Sequence, residues 1–372
     1  MMRTSWRAAA LVALAVFSAG ACSLPGSTAK SPSPAASASR TSSPSPSPST
    51  SQSPPPAPVT GAFGVLVSSL SGSSYTVSLV GIDGRVIASA IANTPSTVTC
   101  ANAAAGIVPP PVSTSDTRVY FMDALGVVRY LSPNGDTGQA ITLPIGPARR
   151  SLFAVSPDDT LMAVVVLDFT ASGATTKLYM YQLQSGGSQN LLFSQSGAYA
   201  LWPTGWHGLN NLVVAKVPAC TQGGGFGCCG PQELHVVDPA TAVRRFLIGG
   251  SGCVISGPPS PGRVSCENST GTDTVYSWTN LQLRTYPIPG VGMGPIYLSP
   301  NGQHLALSTN VNEATVEGAQ TLSMGVCGWI DDTHILAGGD TQQQPRVGDT
   351  TSGHVVPVAA QGDCAGRIPG GL

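Results

Sequence analysis

The segment Val155-Ser-Pro-Asp-Asp-Thr-Leu-Met-Ala-Val164 shows a pattern that recurs through most of this chain. An apolar residue leads into a turn with Asp, and an apolar run follows. Leu298-Ser-Pro-Asn-Gly-Gln-His-Leu-Ala-Leu307 is a close copy, residues 112–121 and 329–338 follow the same pattern, and looser copies begin near Trp206 and Val254. Asp and Asn favour tight turns and Gly permits a positive φ, so each copy predicts a strand, a turn and a second strand.

The copies recur at the spacing of a repeat protein. They start near residues 112, 155, 206, 254, 298 and 329, roughly 40–50 residues apart except for a shorter last interval. β-branched and aromatic runs between them predict further strands, and long helical periodicity is absent. The strands are expected at residues 75–82, 118–121, 161–167, 212–216 and 304–308.

This arrangement predicts an all-β propeller over residues 61–372. An initial unit at 62–93 brings the number of four-stranded blades to seven, and the count is six if the short last interval is not a separate unit. A β-sandwich is the competing architecture, but it does not explain the recurring turn and strand.

The turns also resemble those of a known family. Ser156-Pro-Asp-Asp159 and Ser299-Pro-Asn-Gly302 are similar to the Ser-Pro-Asp-Gly repeat of TolB-type and WD-like propellers, which also occurs in prolyl oligopeptidases. Ser132-Pro-Asn-Gly135 matches too, but out of phase with the other copies. The resemblance implies the propeller fold. The catalytic domain of prolyl oligopeptidases carries a Gly-x-Ser-x-Gly motif, which is missing here.

The amino terminus predicts export. Arg3 and Arg7 precede an uncharged apolar run at residues 8–17, and Ala19-Gly-Ala21 supplies small residues for cleavage. We interpret residues 1–21 as a signal peptide, because the apolar run is too short to span a membrane. Residues 22–60 are rich in Ser and Pro and predict a disordered, extended linker.

Cys22 follows the small residues directly and resembles the lipid-modified cysteine of a bacterial lipobox, although Ala19 stands where Leu is usual. We expect a diacylated, palmitate-type anchor in the cell membrane, with the propeller facing outside. Ala-Gly-Ala also suits the ordinary signal peptidase, which would instead give a secreted protein starting near Cys22.

The chain has nine cysteines. Assigning Cys22 to lipid leaves an even set, as expected for disulfides outside the cytoplasm. That set is Cys100, Cys220, Cys228, Cys229, Cys253, Cys266, Cys327 and Cys364.

Four pairings are expected among these cysteines. Cys253 and Cys266 flank a proline-rich turn, and a bond between Cys327 and Cys364 would tie the last blade to the end of the domain. Cys220 is expected to pair with Cys228 across a glycine-rich loop, and Cys100 with whichever of Cys228 and Cys229 remains. Zinc or copper on Cys220, Cys228, Cys229 and His235 is the alternative.

Two side-chain clusters are candidates for function. Trp202, Trp206 and His207 could bind a partner, since exposed Trp binds sugars and side chains, or they could pack between blades. Asp331, Asp332 and His334 could form an acid–base site, but they occupy the repeated turn, which favours a structural role.

The sequence therefore favours a non-catalytic binding protein of the cell envelope. A net charge of -1 gives no case for nucleic acid. We expect no cofactor, no metal and a monomer that binds a protein, peptide or cell-wall glycan. The alternatives are a propeller hydrolase or lyase acting on glycans, and a structural sensor domain for a membrane partner.

Overall fold

The computed structural model describes residues 60–101, 109–184, 187–220, 231, 233–269, 271–287 and 295–372. These residues form seven antiparallel sheets arranged as the blades of a β-propeller, so the predicted fold is confirmed. The described residues contain no helix, and hence none long and apolar enough to cross a membrane. The predicted signal peptide, Cys22 and linker lie outside them, except for Thr60.

The strands follow one another from the channel outward in each blade. The second blade holds β4 to β7, the third β8 to β11, the fourth β12 to β15, the fifth β16 to β19 and the seventh β23 to β26. In the described residues the sixth has three strands, β20 to β22, and a bridge between Ala314 and Leu322 stands in place of a fourth. The bounds are β1 Phe63–Val67, β2 Ser74–Gly81, β3 Val86–Asn93, β4 Val112–Thr114, β5 Val119–Met122, β6 Val127–Leu131, β7 Thr137–Thr142, β8 Arg149–Val155, β9 Leu161–Phe169, β10 Ala174–Gln182, β11 Ser188–Gly197, β12 Tyr199–His207, β13 Asn211–Pro218, β14 Glu233–Val237, β15 Arg244–Gly249, β16 Val254–Ile255, β17 Val264–Glu267, β18 Thr272–Tyr276, β19 Gln282–Pro287, β20 Ile296–Leu298, β21 Leu305–Asn310, β22 Glu313–Val316, β23 Gly328–Trp329, β24 His334–Ala337, β25 Arg346–Asp349, β26 Val355–Pro357 and β27 Asp363–Ile368.

The ring is closed by pairing of the last strand with the first. In the first blade β27 lies beside β1, with Phe63 opposite Ile368 and Val67 opposite Asp363, and β2 and β3 complete the sheet. The initial unit expected at residues 62–93 is therefore three strands of a blade whose innermost strand comes from the far end of the domain. Closure in this manner gives β1 an inner neighbour, so that the first blade, like the others, presents a short innermost strand to the channel.

The repeated turn joins the first and second strands of a blade. In its third-blade and sixth-blade copies, Asp159 and Gly302 have φ of 60° and 69°, and each N–H donates to the carbonyl of the serine three residues earlier. Gly suits this left-handed conformation because it lacks a Cβ. The out-of-phase copy ending at Gly135 makes the same turn, with φ 89°, between the third and fourth strands of the second blade.

Tryptophans at equivalent positions connect neighbouring blades. The indole N–H of Trp206 in the fourth blade donates to the carbonyl of Ala154 in the third, at 3.2 Å. Trp329 in the seventh blade donates to the carbonyl of Tyr297 in the sixth, at 3.0 Å. Both indoles are buried, so their polar atoms need these partners.

Three disulfides are present among the described residues. Cys253 is bonded to Cys266 and Cys327 to Cys364, which confirms both predicted pairs. The latter joins the seventh blade to β27, across the closure of the ring.

The expected pairing of Cys220 with Cys228, and of Cys100 with Cys228 or Cys229, is wrong. Cys220 is bonded to Cys100, 120 positions away in sequence. Cys220 follows β13 of the fourth blade, and Cys100 lies in the connection between the first and second blades. That connection reaches the fourth blade, with Cα atoms of the two cysteines 5.2 Å apart, and sequence spacing gives no sign of this approach. Cys228 and Cys229 lie outside the described residues.

Candidate ligand-binding channel

The innermost strands of the seven blades surround a central cavity of about 410 Å³. Every blade contributes to its wall, because the first strand of each sheet faces the axis. A volume of this size is within the range of small-ligand pockets. The lining includes the large side chains of Trp202, Tyr297, Trp329 and Arg367.

The channel wall is mainly apolar and rich in proline. Prolines lack a backbone N–H, so they offer a ligand carbon surface but no donor. Among lining hydroxyls, Ser113 accepts from the N–H of Val155, and those of Thr204 and Ser260 donate to backbone carbonyls. The described lining holds no Asp, Glu or His. The prolines are Pro109, Pro110, Pro111, Pro203, Pro231, Pro258, Pro259, Pro261 and Pro300.

Arg367 is the charged residue of this wall. It lies on β27 opposite Gly64 and is half-buried, and its guanidinium forms no hydrogen bond or ion pair with any residue that the structure describes. Burial lowers the pKa of its guanidinium, while Asp332, Asp116 and Asp331 oppose that shift from a distance. An unpaired cation in an apolar wall costs free energy in the empty protein.

At the channel end near Arg367, residues 370–372 run from the second blade to the fourth. The N–H of Gly370 donates to the carbonyl of Ser115 at 2.7 Å, and that of Leu372 donates to the carbonyl of Trp206 at 3.2 Å. Leu372 packs against Gly205, where a Cβ would lie only 2.7 Å from its side chain. Gly371 and Leu372 therefore form part of the channel wall at this end.

A second cavity of about 750 Å³ borders the opposite end of the channel, over the first, sixth and seventh blades. We call it the mouth. It shares Pro110 and the Cys327–Cys364 disulfide with the channel wall. Asp340 and Asp363 line it. Asp340 accepts from the N–H groups of Gln342 and Gln343, and these bonds lower its pKa.

The predicted aromatic cluster is divided between the channel and the blade interfaces. Trp202 is half-exposed and lines the channel. Trp206 is only 1% exposed and is held by Ala154 as described above. His207 stacks on Trp278, with ring centroids 5.1 Å apart, and its Nδ1 contacts the carbonyl of Pro261 at 3.1 Å. The geometry gives Trp206 and His207 packing contacts and leaves Trp202 available to a ligand.

Asp331, Asp332 and His334 are engaged in their own turn. Asp331 accepts from the N–H groups of Thr333 and His334 and contacts the His334 ring at 2.9 Å, and these contacts lower its pKa against the effect of burial. Asp332 accepts from the N–H of Asn301 in the sixth blade. This geometry supports the structural role that the repeat favoured.

The alternative metal cluster is not assembled by the described residues. Cys220 is bonded to Cys100, and His235 contacts Glu233 at 3.7 Å on the same strand. No group of three potential ligands occurs among the described residues. Cys228 and Cys229 lie outside that part of the chain.

Three residues of the channel and mouth were not expected from sequence, namely Tyr297, Asp363 and Arg367. Tyr297 precedes the turn copy at residue 299, and its place on an innermost strand could have been inferred from the repeat. Burial, with the charge of Asp363, raises the pKa of Tyr297 to about 12. Asp363 and Arg367 belong to the closing strand, which no repeat signal marked.

No protein-family model matches this chain, and a search of curated proteins returned no significant match. The function must therefore be argued from the channel and its mouth.

Proposed function

We propose that this chain is an exported lipoprotein with a TolB-type propeller. Its role is to bind a protein, peptide or cell-wall glycan partner without catalysing a reaction. Export is supported by the signal-peptide pattern at residues 1–21 and by the three disulfides, which are typical of oxidising compartments. The lipid anchor is supported by Cys22. The Ser-Pro-Asp turns support the TolB-type assignment.

One observation carries the binding role, namely the apolar channel wall, which includes the half-buried Trp202. A concave apolar surface with few polar groups favours binding of a ligand. Catalysis of hydrolysis needs a positioned acid or base, and the described wall offers no Asp, Glu or His side chain.

The test is a titration of the full chain, extracted in detergent, with apolar peptides and soluble cell-wall fragments. Tryptophan fluorescence reports binding. We expect Trp202→Ala to weaken binding at least tenfold, because the indole is lost from the wall. Leu191→Ala is the matched control, since Leu191 is 50% exposed on the outer strand β11. Absence of binding by the unmodified chain, or equal binding by Trp202→Ala, would contradict the proposal.

A glycan hydrolase or lyase is the second candidate, favoured by the two carboxylates at the mouth. The carboxylate of Asp340 accepts a backbone N–H of its own loop, and such bonds lower its pKa. Near neutral pH Asp340 is therefore ionised and cannot act as a proton donor. If the chain released reducing ends from cell-wall glycan, and Asp340→Asn and Asp363→Asn abolished that activity, the non-catalytic proposal would be wrong.

A further inference from the structure

We propose that the channel binds an apolar peptide by its C-terminal carboxylate, with Arg367 as the anchor. This inference rests on the proposed binding function and names the ligand class for the same site. Arg367 faces a cavity from which a ligand can reach it, and no described residue pairs with it.

The charge of Arg367 specifies an anionic group on the ligand. Guanidinium binds carboxylate through two parallel hydrogen bonds, and this geometry is strongest where water is excluded. Asp116, Asp331 and Asp332 influence Arg367 but none lies within ion-pair distance. Asp331 and Asp332 already accept backbone N–H groups in their turns.

The segment 370–372 beside Arg367 favours an anion at the end of a chain. Gly371 and Leu372 line the channel, and this segment is bonded to the second and fourth blades, so an extended ligand that enters from the mouth meets it next to Arg367. Asp363 at the mouth and Arg367 are four residues apart on β27, which corresponds to about 13 Å along the strand. That depth accommodates about four residues of an extended peptide.

The wall favours a peptide over a sugar acid. A sugar carries several hydroxyls that each need a partner when buried. Here three of the wall hydroxyls are occupied by backbone groups, and the prolines offer no donors. Apolar side chains need no such partners and gain from contact with Trp202 and Tyr297.

The mouth complements the rest of such a peptide. Asp340 and Asp363 would face residues that precede the apolar end, so a basic residue four or five positions from the carboxylate fits the charge there.

The test uses N-terminally fluorescent heptapeptides with apolar C-terminal residues, each made as the free acid and as the C-terminal amide. Fluorescence anisotropy with the full chain measures affinity. We expect the acid to bind about ten- to hundredfold more tightly than the amide, the range for a charged hydrogen bond. This comparison uses the unmodified protein, so it does not depend on the folding of a variant.

Arg367→Met is expected to remove the preference for the acid while leaving amide binding unchanged. Arg244→Met is the matched control, because Arg244 is exposed on the outer strand β15. Equal binding of acid and amide, lost in Trp202→Ala, would overturn this inference and leave the proposed function intact. If neither peptide form binds but a uronic-acid oligosaccharide binds through Arg367, the site would be assigned to an acidic glycan. That result would overturn the inference that the ligand is a peptide. Failure of all probes would contradict both proposals.

Discussion

The hydroxyl of Tyr120 donates a 2.7 Å hydrogen bond to the carboxylate of Asp159, which joins the second blade to the turn of the third. Thr117 donates to the other carboxylate oxygen at 2.5 Å. Asp159 is only 6% exposed and has a positive φ. Asp159 therefore occupies a backbone position that suits Gly, and its side chain links two blades.

Loss of the Tyr120 hydroxyl should destabilise the propeller. We expect Tyr120→Phe to lower the free energy of unfolding by about 1–3 kcal/mol, since a buried carboxylate loses one of its two donors. Urea unfolding measures the change. The control is Tyr276→Phe, because among the described residues the hydroxyl of Tyr276 has no hydrogen-bond partner. Equal effects of the two variants would show that the bond contributes nothing specific.

Removal of the disulfides should destabilise the fold according to the length of chain that each encloses. Chain entropy predicts the smallest loss for Cys253–Cys266, with a separation of 13, and the largest for Cys100–Cys220, with a separation of 120. The difference between these two is about 2 kcal/mol in that model. Paired Cys→Ala variants and thermal unfolding test the order. A peptide linking Cys220 to Cys228 in a non-reduced digest would refute the Cys100–Cys220 bond.

Stability should depend on pH through Asp273. Burial raises its pKa to about 7, and the charge of Glu267, which lies opposite it in the sheet, acts in the same direction. The hydrogen bond that Ser256 donates to Asp273 acts in the opposite direction. Between its ordinary pKa of 3.8 and about 7, the folded state holds a proton that the unfolded state has lost. The stabilisation is therefore complete below 3.8 and is lost as pH rises through 7.

We expect the free energy of unfolding to fall by about 2–3 kcal/mol between roughly pH 5 and pH 8. Asp273→Asn should remove this decrease, because an amide stays neutral over the whole range. Asp363→Asn is the control, as an exposed carboxylate at the mouth. The same slope in Asp273→Asn and the unmodified chain would assign the pH dependence to another group.

Lipid attachment at Cys22 is tested by intact mass. We expect a mature chain that starts at Cys22, carries a diacylglycerol and stays with the membrane, whereas Cys22→Ala is released. The measurement is mass spectrometry of detergent extracts with and without reductant. An unlipidated chain starting at Cys22 would make the protein secreted and remove the anchor.

Local pattern was sufficient to predict most of the architecture. The strand expected at residues 75–82 is Ser74–Gly81, and that expected at 161–167 is Leu161–Phe169. These strands are apolar and bounded by turn residues, so each could be read within about ten positions of itself.

Long-range features could not be predicted in the same manner. The closing strand Asp363–Ile368 contains two charged residues and a glycine, and it pairs with a strand about 300 positions earlier. Cys100 pairs with Cys220 for a similar reason. Arg367 was missed because its place in the channel depends on that closing strand.

The position of β27 in the first blade sets the order in which the propeller can be completed. During synthesis from the amino terminus, β1 has no inner neighbour until residues 363–368 are available. The six later blades would form as a curved, open array, and the channel would come into existence only in the last step. A ligand that needs the closed channel would thus select molecules in which β27 has paired with β1.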